Sequence, residues 1–151
     1  MIDRELAAFL EEGIAIQLGT RNDRLEPNGA RVIAVKVDDD GRHLVAYVTK
    51  PAAAGVLPDL RANGQAAIVF ARPPDERACQ VKGAFAGARA ATAREKPFVL
   101  DQANRWLARL ESIGYPREMW TNWGTWPCVA IRIRVTALFN QTPGPGAGAP
   151  L

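Results

Sequence analysis

The stretch RVIAVK, residues 31–36, decides the fold, because it is an apolar run with a cation at each end. A strand has a period of two, which would place Arg31, Ile33 and Val35 on one face and the three alternate residues on the other. The turn Asp39-Asp40-Gly41 follows closely, and Asp-Gly tolerates the positive φ that a tight hairpin needs. The pattern therefore predicts a β-hairpin at this point in the chain.

The rest of this unit extends to residue 70. A second strand covers residues 44–48, a short helix covers about 55–63, and a wholly apolar strand covers 66–70. A strand that is apolar throughout is typical of one buried on both faces. We expect the rest of the chain to be organised around residues 29–70.

Polar and cationic residues stand at the ends of these strands: Arg31, Lys36, Thr49 and Lys50. A sheet edge that carries such groups beside a helix start suits an anion. Cations at strand ends are also commonly solvated surface residues. Residue chemistry alone leaves both interpretations open.

Before this unit, Asp3 is placed to cap a helix over residues 4–12, and a strand follows over 14–20. Pro27-Asn28-Gly29 is a turn signal. After it, a glycine-dotted alternation over residues 78–90 predicts a long strand with bends or bulges, as a small closed barrel requires.

The last third of the chain has a helical pattern over residues 97–113 and an alternating strand over 129–138. Between them, residues 119–126 form a loop-like segment with three tryptophans. Residues 143–151 form a Pro/Gly-rich tail without periodicity. About six strands in hairpin-compatible order, with two or three helices and no GxGxxG motif, predict an antiparallel barrel with external helices rather than a dinucleotide fold.

Composition narrows the function classes. The 151 residues are 48% hydrophobic and 23% charged, as in a single soluble domain. The net charge of +3 comes from scattered arginines, which favours a small anionic ligand over nucleic acid. Cys79 and Cys128 form no CxxC motif, so we expect buried free thiols. No signal peptide or membrane-length apolar run is visible, and we expect a cytoplasmic protein with no membrane partner.

Residues for acid–base or nucleophilic catalysis are few. His43 is the one histidine and Ser112 the one serine, so a Ser-His-Asp arrangement is disfavoured. The Asp38-Asp39-Asp40 run is better explained as a turn than as metal ligands, and we expect no metal site. An enzyme with this composition would need a cofactor to carry the chemistry.

Four motifs in order resemble the pyridoxamine 5′-phosphate oxidase-like FMN-binding split-barrel family. They are RVIAVK with the following DDDG turn, Tyr47-Val48-Thr49, Asn63-Gly64-Gln65 before the apolar strand, and the run RACQVKG at residues 77–83. The resemblance implies a mainly β (α+β) fold, a six-stranded antiparallel split β-barrel with two or three flanking helices, in one domain over residues 1–151.

The resemblance also implies a homodimer with FMN at the subunit interface and an oxidoreductase that uses a small-molecule substrate or a reduced nicotinamide as electron donor. Arg31 would contact the phosphate, the strand would run along the isoalloxazine, and Gln80 or Lys82 would close the site. The implied cofactor residues are Arg31, Val32, Ile33, Ala34, Lys36, Tyr47, Thr49, Lys50, Gln80 and Lys82.

Two departures from the family pattern matter. The family's Ser-Arg-Lys phosphate clamp is replaced by PAAAG at residues 51–55, where Thr49 and Lys50 would have to stand in. The C-terminal arginine motif for the pyridoxal substrate is absent. We therefore do not expect pyridoxamine phosphate oxidase activity. A non-catalytic flavin or haem module and a deazaflavin-dependent reductase remain alternatives. The tryptophans would either cover the flavin or pack a dimer interface or barrel end.

Overall fold

The computed structural model describes residues 1–120 and 122–151, and its centre is one seven-stranded antiparallel sheet. The strands are β1 (Ala15–Arg21), β2 (Pro27–Arg31), β3 (Ala34–Val37), β4 (His43–Thr49), β5 (Gln65–Arg72), β6 (Arg77–Ala90) and β7 (Cys128–Asn140). The helices are α1 (Arg4–Leu10), α2 (Lys50–Asn63) and α3 (Lys96–Ser112), with a 3₁₀ turn at Arg117–Trp120. None of the helices in the described ranges is long and apolar enough to span a membrane.

The sheet closes into a barrel at residues 32 and 33. The strand order is β2-β1-β5-β6-β7-β4-β3, so β2 and β3 lie at opposite edges although they are adjacent in the chain. The Val32 N–H donates to Ile16 O at 3.1 Å, and the next amide, of Ile33, donates to Tyr47 O at 2.8 Å. Two consecutive residues thus bond to β1 and to β4, which are the strands next to the two edge strands. This pairing at both edges confirms the predicted split barrel. Residues 31–36, predicted as one strand, supply two short ones, so the count is seven rather than six.

This crossing corrects the predicted alternation of residues 31–36. Val32 and Val35 lie in the main core inside the barrel, whereas Ile33 and Ala34 belong to a second apolar cluster under α3. The change of partner strand at Ile33 shifts the side-chain phase, so Ile33 and Val35 do not share a face. A period of two holds only while the chain stays within one sheet edge.

Helix α3 covers the outer side of β3 through one buried side chain. The Gln102 amide accepts from the Val35 N–H at 3.1 Å and donates to the Val35 carbonyl at 2.7 Å. These are the two bonds that another strand would make to an exposed edge. Gln102 therefore fixes α3 against the strand that leads away from Arg31.

Two of three helix ends lie where local sequence signals predict them. Asp3 caps α1 as predicted, accepting from the Leu6 N–H at 2.8 Å. Helix α2 ends at Gly64, which is in the left-handed region with φ 71°, as the sequence indicates. Its start is corrected, because the helix predicted from about residue 55 begins at Lys50 and includes the PAAAG segment in its first turns. Proline is favourable in the first turn of a helix, where its missing N–H is not needed.

Two further segments test the sequence patterns. The predicted turn at residues 27–29 is instead part of strand β2, where Asn28 pairs with Thr20. The long strand β6 has the expected irregularities, with register shifts next to Gly83 and Gly87. A Cβ on Gly83 would lie 2.6 Å from the Arg134 carbonyl oxygen, so the close approach of β7 requires glycine.

Candidate functional site

A cavity of about 380 Å³ lies where three parts of the chain meet. Arg31 and Ile33, at the crossing between β2 and β3, form its floor. The first residues of α2 form one wall, and the segment of residues 122–127, which we call the tryptophan segment, contributes Trp123, Gly124, Trp126 and Pro127 to the other. Arg31, which the resemblance places at the FMN phosphate, thus lies at the same cavity as a helix start and an aromatic wall.

Arg31 is half-buried and lacks an anionic partner. Its Nε is buried without a hydrogen bond, and no carboxylate in the described ranges forms an ion pair with it. Burial lowers the pKa of the Arg31 guanidinium below its ordinary value. A guanidinium remains protonated even so, and a buried cation without a partner is unfavourable for folding. This charge is therefore the first candidate for a ligand contact.

The Arg31 guanidinium lies over the rings of two tryptophans. The Arg31 Cζ lies 5.2 Å from the centroid of the Trp106 ring and 4.9 Å from that of Trp123. Both distances are within the range of cation–π attraction. Trp120 packs edge-on against Trp123, with ring centroids 6.2 Å apart. The arrangement holds a flexible side chain in one orientation beside the cavity.

The start of α2 adds a second feature that favours an anion. Thr49, the N-cap residue, makes no side-chain capping bond, and the Lys50 N–H donates to the Pro127 carbonyl at 2.9 Å. Pro51 has no N–H, so the Ala52 N–H is the next donor of the first turn. The positive end of a 14-residue helix therefore faces the same cavity as Arg31.

The remaining tryptophans lie at or near the cavity, and sequence reasoning found only some of them. Trp126 lines the cavity, and the Lys96 Nζ lies 5.9 Å from its ring. The indole nitrogens of Trp106 and Trp120 are buried without a partner among the described residues. Sequence reasoning singled out the tryptophan-rich loop but missed Trp106, whose helical spacing marks it only as a packing residue. Thr121, within the predicted loop, lies outside the described residues.

Tyr47, a predicted cofactor residue, belongs to a separate polar network. It is buried, and its hydroxyl donates to Glu95 Oε1 at 2.8 Å. Arg89 donates to both Glu95 oxygens at 2.8 and 2.7 Å, and Thr92 adds its N–H and hydroxyl. Burial and Glu95 raise the pKa of Tyr47, whereas Arg89 holds the pKa of Glu95 well below its usual range. Tyr47 does not line the cavity.

The remaining predicted residues are divided among several environments. Val32 is in the barrel core and Ala34 is under α3. Lys36 is exposed, with its Nζ 5.4 Å from the Phe98 ring, and Lys50 is exposed at the first turn of α2. The structure therefore brings Arg31, Ile33 and Thr49 together, with Lys50 next to them.

Gln80 and Lys82 lie elsewhere on the same chain. Lys82 lines a different cavity, of about 500 Å³, formed by β1, β5, β6 and β7, and its Nζ is 5.1 Å from the Phe139 ring. Gln80 pairs with Val69 and Phe139 along β6. Neither residue lines the Arg31 cavity, so within one chain they do not close it.

The two cysteines and one group of acidic residues with His43 are the side chains to consider for redox or metal chemistry. Cys79 and Cys128 are free and buried, and burial raises the pKa of each thiol to about 11. Asp38, Asp40 and His43 place ligand atoms within 4.8 Å of one another. Asp38 is bound to Arg132 at 2.6 Å and Asp40 to His43 at 3.0 Å, as in an ordinary charged turn.

Comparison with known proteins agrees with this fold. No protein-family profile and no curated protein matches the chain. The HupZ protein of Group A Streptococcus superposes with a TM-score of 0.59 at 17% identity, over 99% of both chains. An FMN-binding protein of Syntrophomonas wolfei gives 0.54 at 14% identity, over 91% of this chain and 86% of its own. A proposed pyridoxamine 5′-phosphate oxidase of Lactobacillus delbrueckii gives 0.54 at 14%, over 91% and 93%. The chain has the split-barrel fold of pyridoxamine 5′-phosphate oxidase-like proteins.

Proposed function

We propose that this protein binds FMN at the Arg31 cavity and works as a flavin-dependent oxidoreductase distinct from pyridoxamine phosphate oxidase. One observation carries the proposal. Arg31 is a half-buried guanidinium without an anionic partner among the described residues, at a cavity that also receives the start of α2. A phosphate monoester complements both features, because it offers two charges and several acceptor oxygens.

The residues of the cavity fit the two ends of FMN. Arg31 and the Ala52 N–H would hold the phosphate, with the Thr49 hydroxyl and the Lys50 ammonium nearby. Ile33, Trp126 and Pro127 supply apolar surface for a planar ring. FMN, when bound, supplies hydride and electron transfer. The chain's own residues bind and orient it.

A homodimer would explain the positions of Gln80 and Lys82. Both residues lie on strand β6, where Lys82 lines a separate cavity, and neither of them lines the Arg31 cavity. Only a second copy could place them against the FMN of the first. Light scattering should then give twice the chain mass. In mixed and refolded Arg31→Ala and Lys82→Ala chains, one site of each mixed dimer is intact and should bind FMN more tightly than either variant does alone.

The test is a pair of titrations with FMN and riboflavin, which differ by the phosphate. We expect quenching of flavin fluorescence on binding. Arg31→Ala should weaken FMN binding by ~1.5–3 kcal/mol, because a charge-assisted contact is lost, and should leave riboflavin binding nearly unchanged. Arg61→Ala, which removes an exposed arginine from the last turn of α2, is the matched control. A colourless protein that neither quenches FMN nor gains thermal stability from it would refute the proposal.

One observation favours a second candidate, a non-catalytic flavin carrier or sensor. Arg31 is the one ionisable side chain among the described residues that line the cavity, so the wall offers no carboxylate, histidine or thiol for proton transfer. Rapid oxidation of a reduced nicotinamide by the FMN-loaded protein with an acceptor would exclude this candidate. The absorption spectrum of the purified protein would distinguish FMN from a deazaflavin or haem.

A further inference from the structure

We infer that Trp123 is a positioning residue for phosphate recognition, and that Trp106 and Trp123 together replace the phosphate clamp that the chain lacks. The inference deepens the proposed function and rests on it for the identity of the ligand as a phosphate monoester. It assigns a role to the tryptophan segment, which the FMN contacts alone leave unexplained.

The first step is the geometry around Arg31. Its guanidinium carbon is 5.2 Å from one indole centroid and 4.9 Å from the other, with Trp106 contributed by α3 and Trp123 by the tryptophan segment. Arginine side chains have many rotamers, and fixing them costs entropy when a ligand binds. When two rings already hold the guanidinium, this entropy is lost on folding and not when the ligand binds.

The second step is the direction from which an anion can reach Arg31. With rings over the guanidinium, the planar edge that carries the N–H donors is what remains for a ligand. An oxyanion that accepts two parallel N–H bonds in this plane fits such an edge, as phosphate and carboxylate do. Arg31 lines the cavity, so a ligand there meets the terminal N–H groups of this edge, while the Nε–H itself is buried and has no partner. The two tryptophans thus define a preorganised receptor with one strongly held cation instead of several flexible ones.

The third step separates Trp123 from its neighbour Trp126. Both belong to the tryptophan segment and both line the cavity. Trp123 contacts Arg31, whereas Trp126 lies near Lys96, with 5.9 Å between the Nζ and its ring centroid. If the segment serves only as an apolar wall, the two should be equivalent. If Trp123 positions Arg31, only Trp123 should affect the recognition of phosphate.

The experiment measures the ratio of riboflavin to FMN dissociation constants, which reports the contribution of the phosphate alone. In Trp123→Leu this ratio should fall by about five- to tenfold, as expected from loss of a cation–π contact at a partly desolvated site. Trp123→Phe keeps a ring over Arg31 and should restore most of the ratio. Trp126→Leu is the matched control and should weaken both flavins equally, leaving the ratio as in the wild type.

A loss of folding would be visible in thermal unfolding curves, and Trp123→Met, which fills the space without an aromatic ring, then carries the test against Trp126→Met. Equal ratios in wild type, Trp123→Leu and Trp126→Leu would overturn the inference while leaving FMN binding intact. Should the wild type bind no FMN, inorganic phosphate alone is the probe. A phosphate-induced rise in melting temperature that Trp123→Leu abolishes would keep the inference and refute the flavin proposal. No rise in either protein would refute both.

Discussion

Arg31 and Arg89 both lie close to α3, but their surroundings are opposite. Arg89 makes hydrogen bonds of 2.8 and 2.7 Å to Glu95, whose oxygens also accept from Tyr47 and Thr92. Arg31 lies over two indole rings, and its Nε has no acceptor among the described residues. One cation completes a hydrogen-bonded network, and the other keeps a buried donor without a partner beside a cavity.

The difference indicates which group serves the fold and which serves a ligand. A paired charge recovers part of its desolvation cost through its partner, whereas a half-buried charge without one lowers the stability of the folded state. Positions where a chain breaks the rules of good folding are commonly functional. The comparison therefore assigns the Glu95 network to stability and Arg31 to binding, and the following experiments test this division.

The largest effect is expected on ligand affinity in Arg31→Met. FMN should bind about 10- to 150-fold more weakly, because the charge-assisted contact to phosphate is lost. The free energy of unfolding should stay within about 1 kcal/mol of the wild type, since the lost cation–π contacts are offset by removal of an unpaired charge. Fluorescence titration and urea unfolding measure the two quantities. A large loss of stability would contradict the division.

Glu95→Gln should show the opposite pattern. It leaves Arg89 without its carboxylate and weakens the bonds from Tyr47 and Thr92, so the free energy of unfolding should fall by about 1–2 kcal/mol. The ratio of riboflavin to FMN dissociation constants should not change, because Glu95 does not line the Arg31 cavity. Urea denaturation and the two titrations provide the comparison. A changed ratio would connect the two regions.

Tyr47→Phe tests the buried end of the same network with a smaller change. The ring remains packed in the cluster under α3, and one hydrogen bond to Glu95 is lost, so we expect a destabilisation of about 1 kcal/mol. FMN affinity should be retained. An FMN affinity reduced by more than about tenfold would instead indicate that Tyr47 contacts the cofactor, as the family resemblance implied. Melting curves and flavin titration distinguish these outcomes.

The smallest effect is a difference in acid sensitivity. Arg89 holds the native pKa of Glu95 below its unfolded value of about 4.3, so the unfolded state binds more protons as the pH falls. The stabilisation is complete above that value and is lost progressively below it. Between about pH 5 and pH 2 the melting temperature of the wild type should fall more steeply than that of Glu95→Gln. Parallel curves would show that Glu95 does not contribute.

Local chemistry was readable from the sequence. The Asp3 cap, the Gly64 stop and the alternation in β6 and β7 depend on neighbouring residues, and the structure has them where the patterns indicate. Arg31 was identified as a candidate cation from its place at a strand end. Strand and turn signals act over a few residues and were enough to predict an antiparallel barrel, and the resemblance of four motifs to a known family implied its split form.

Tertiary structure decided the rest. The step of residues 32 and 33 from one sheet edge to the other depends on barrel closure, and it changes which side chains face the core. The partners of Tyr47 and Arg31 come from α3 and the loops beside it, with 48 residues separating Tyr47 from Glu95. No local pattern encodes such contacts, since they form only when distant segments pack on the closed sheet. Local patterns specified most of the strands and the cation at Arg31, and the packing of two tryptophans determined what surrounds that cation.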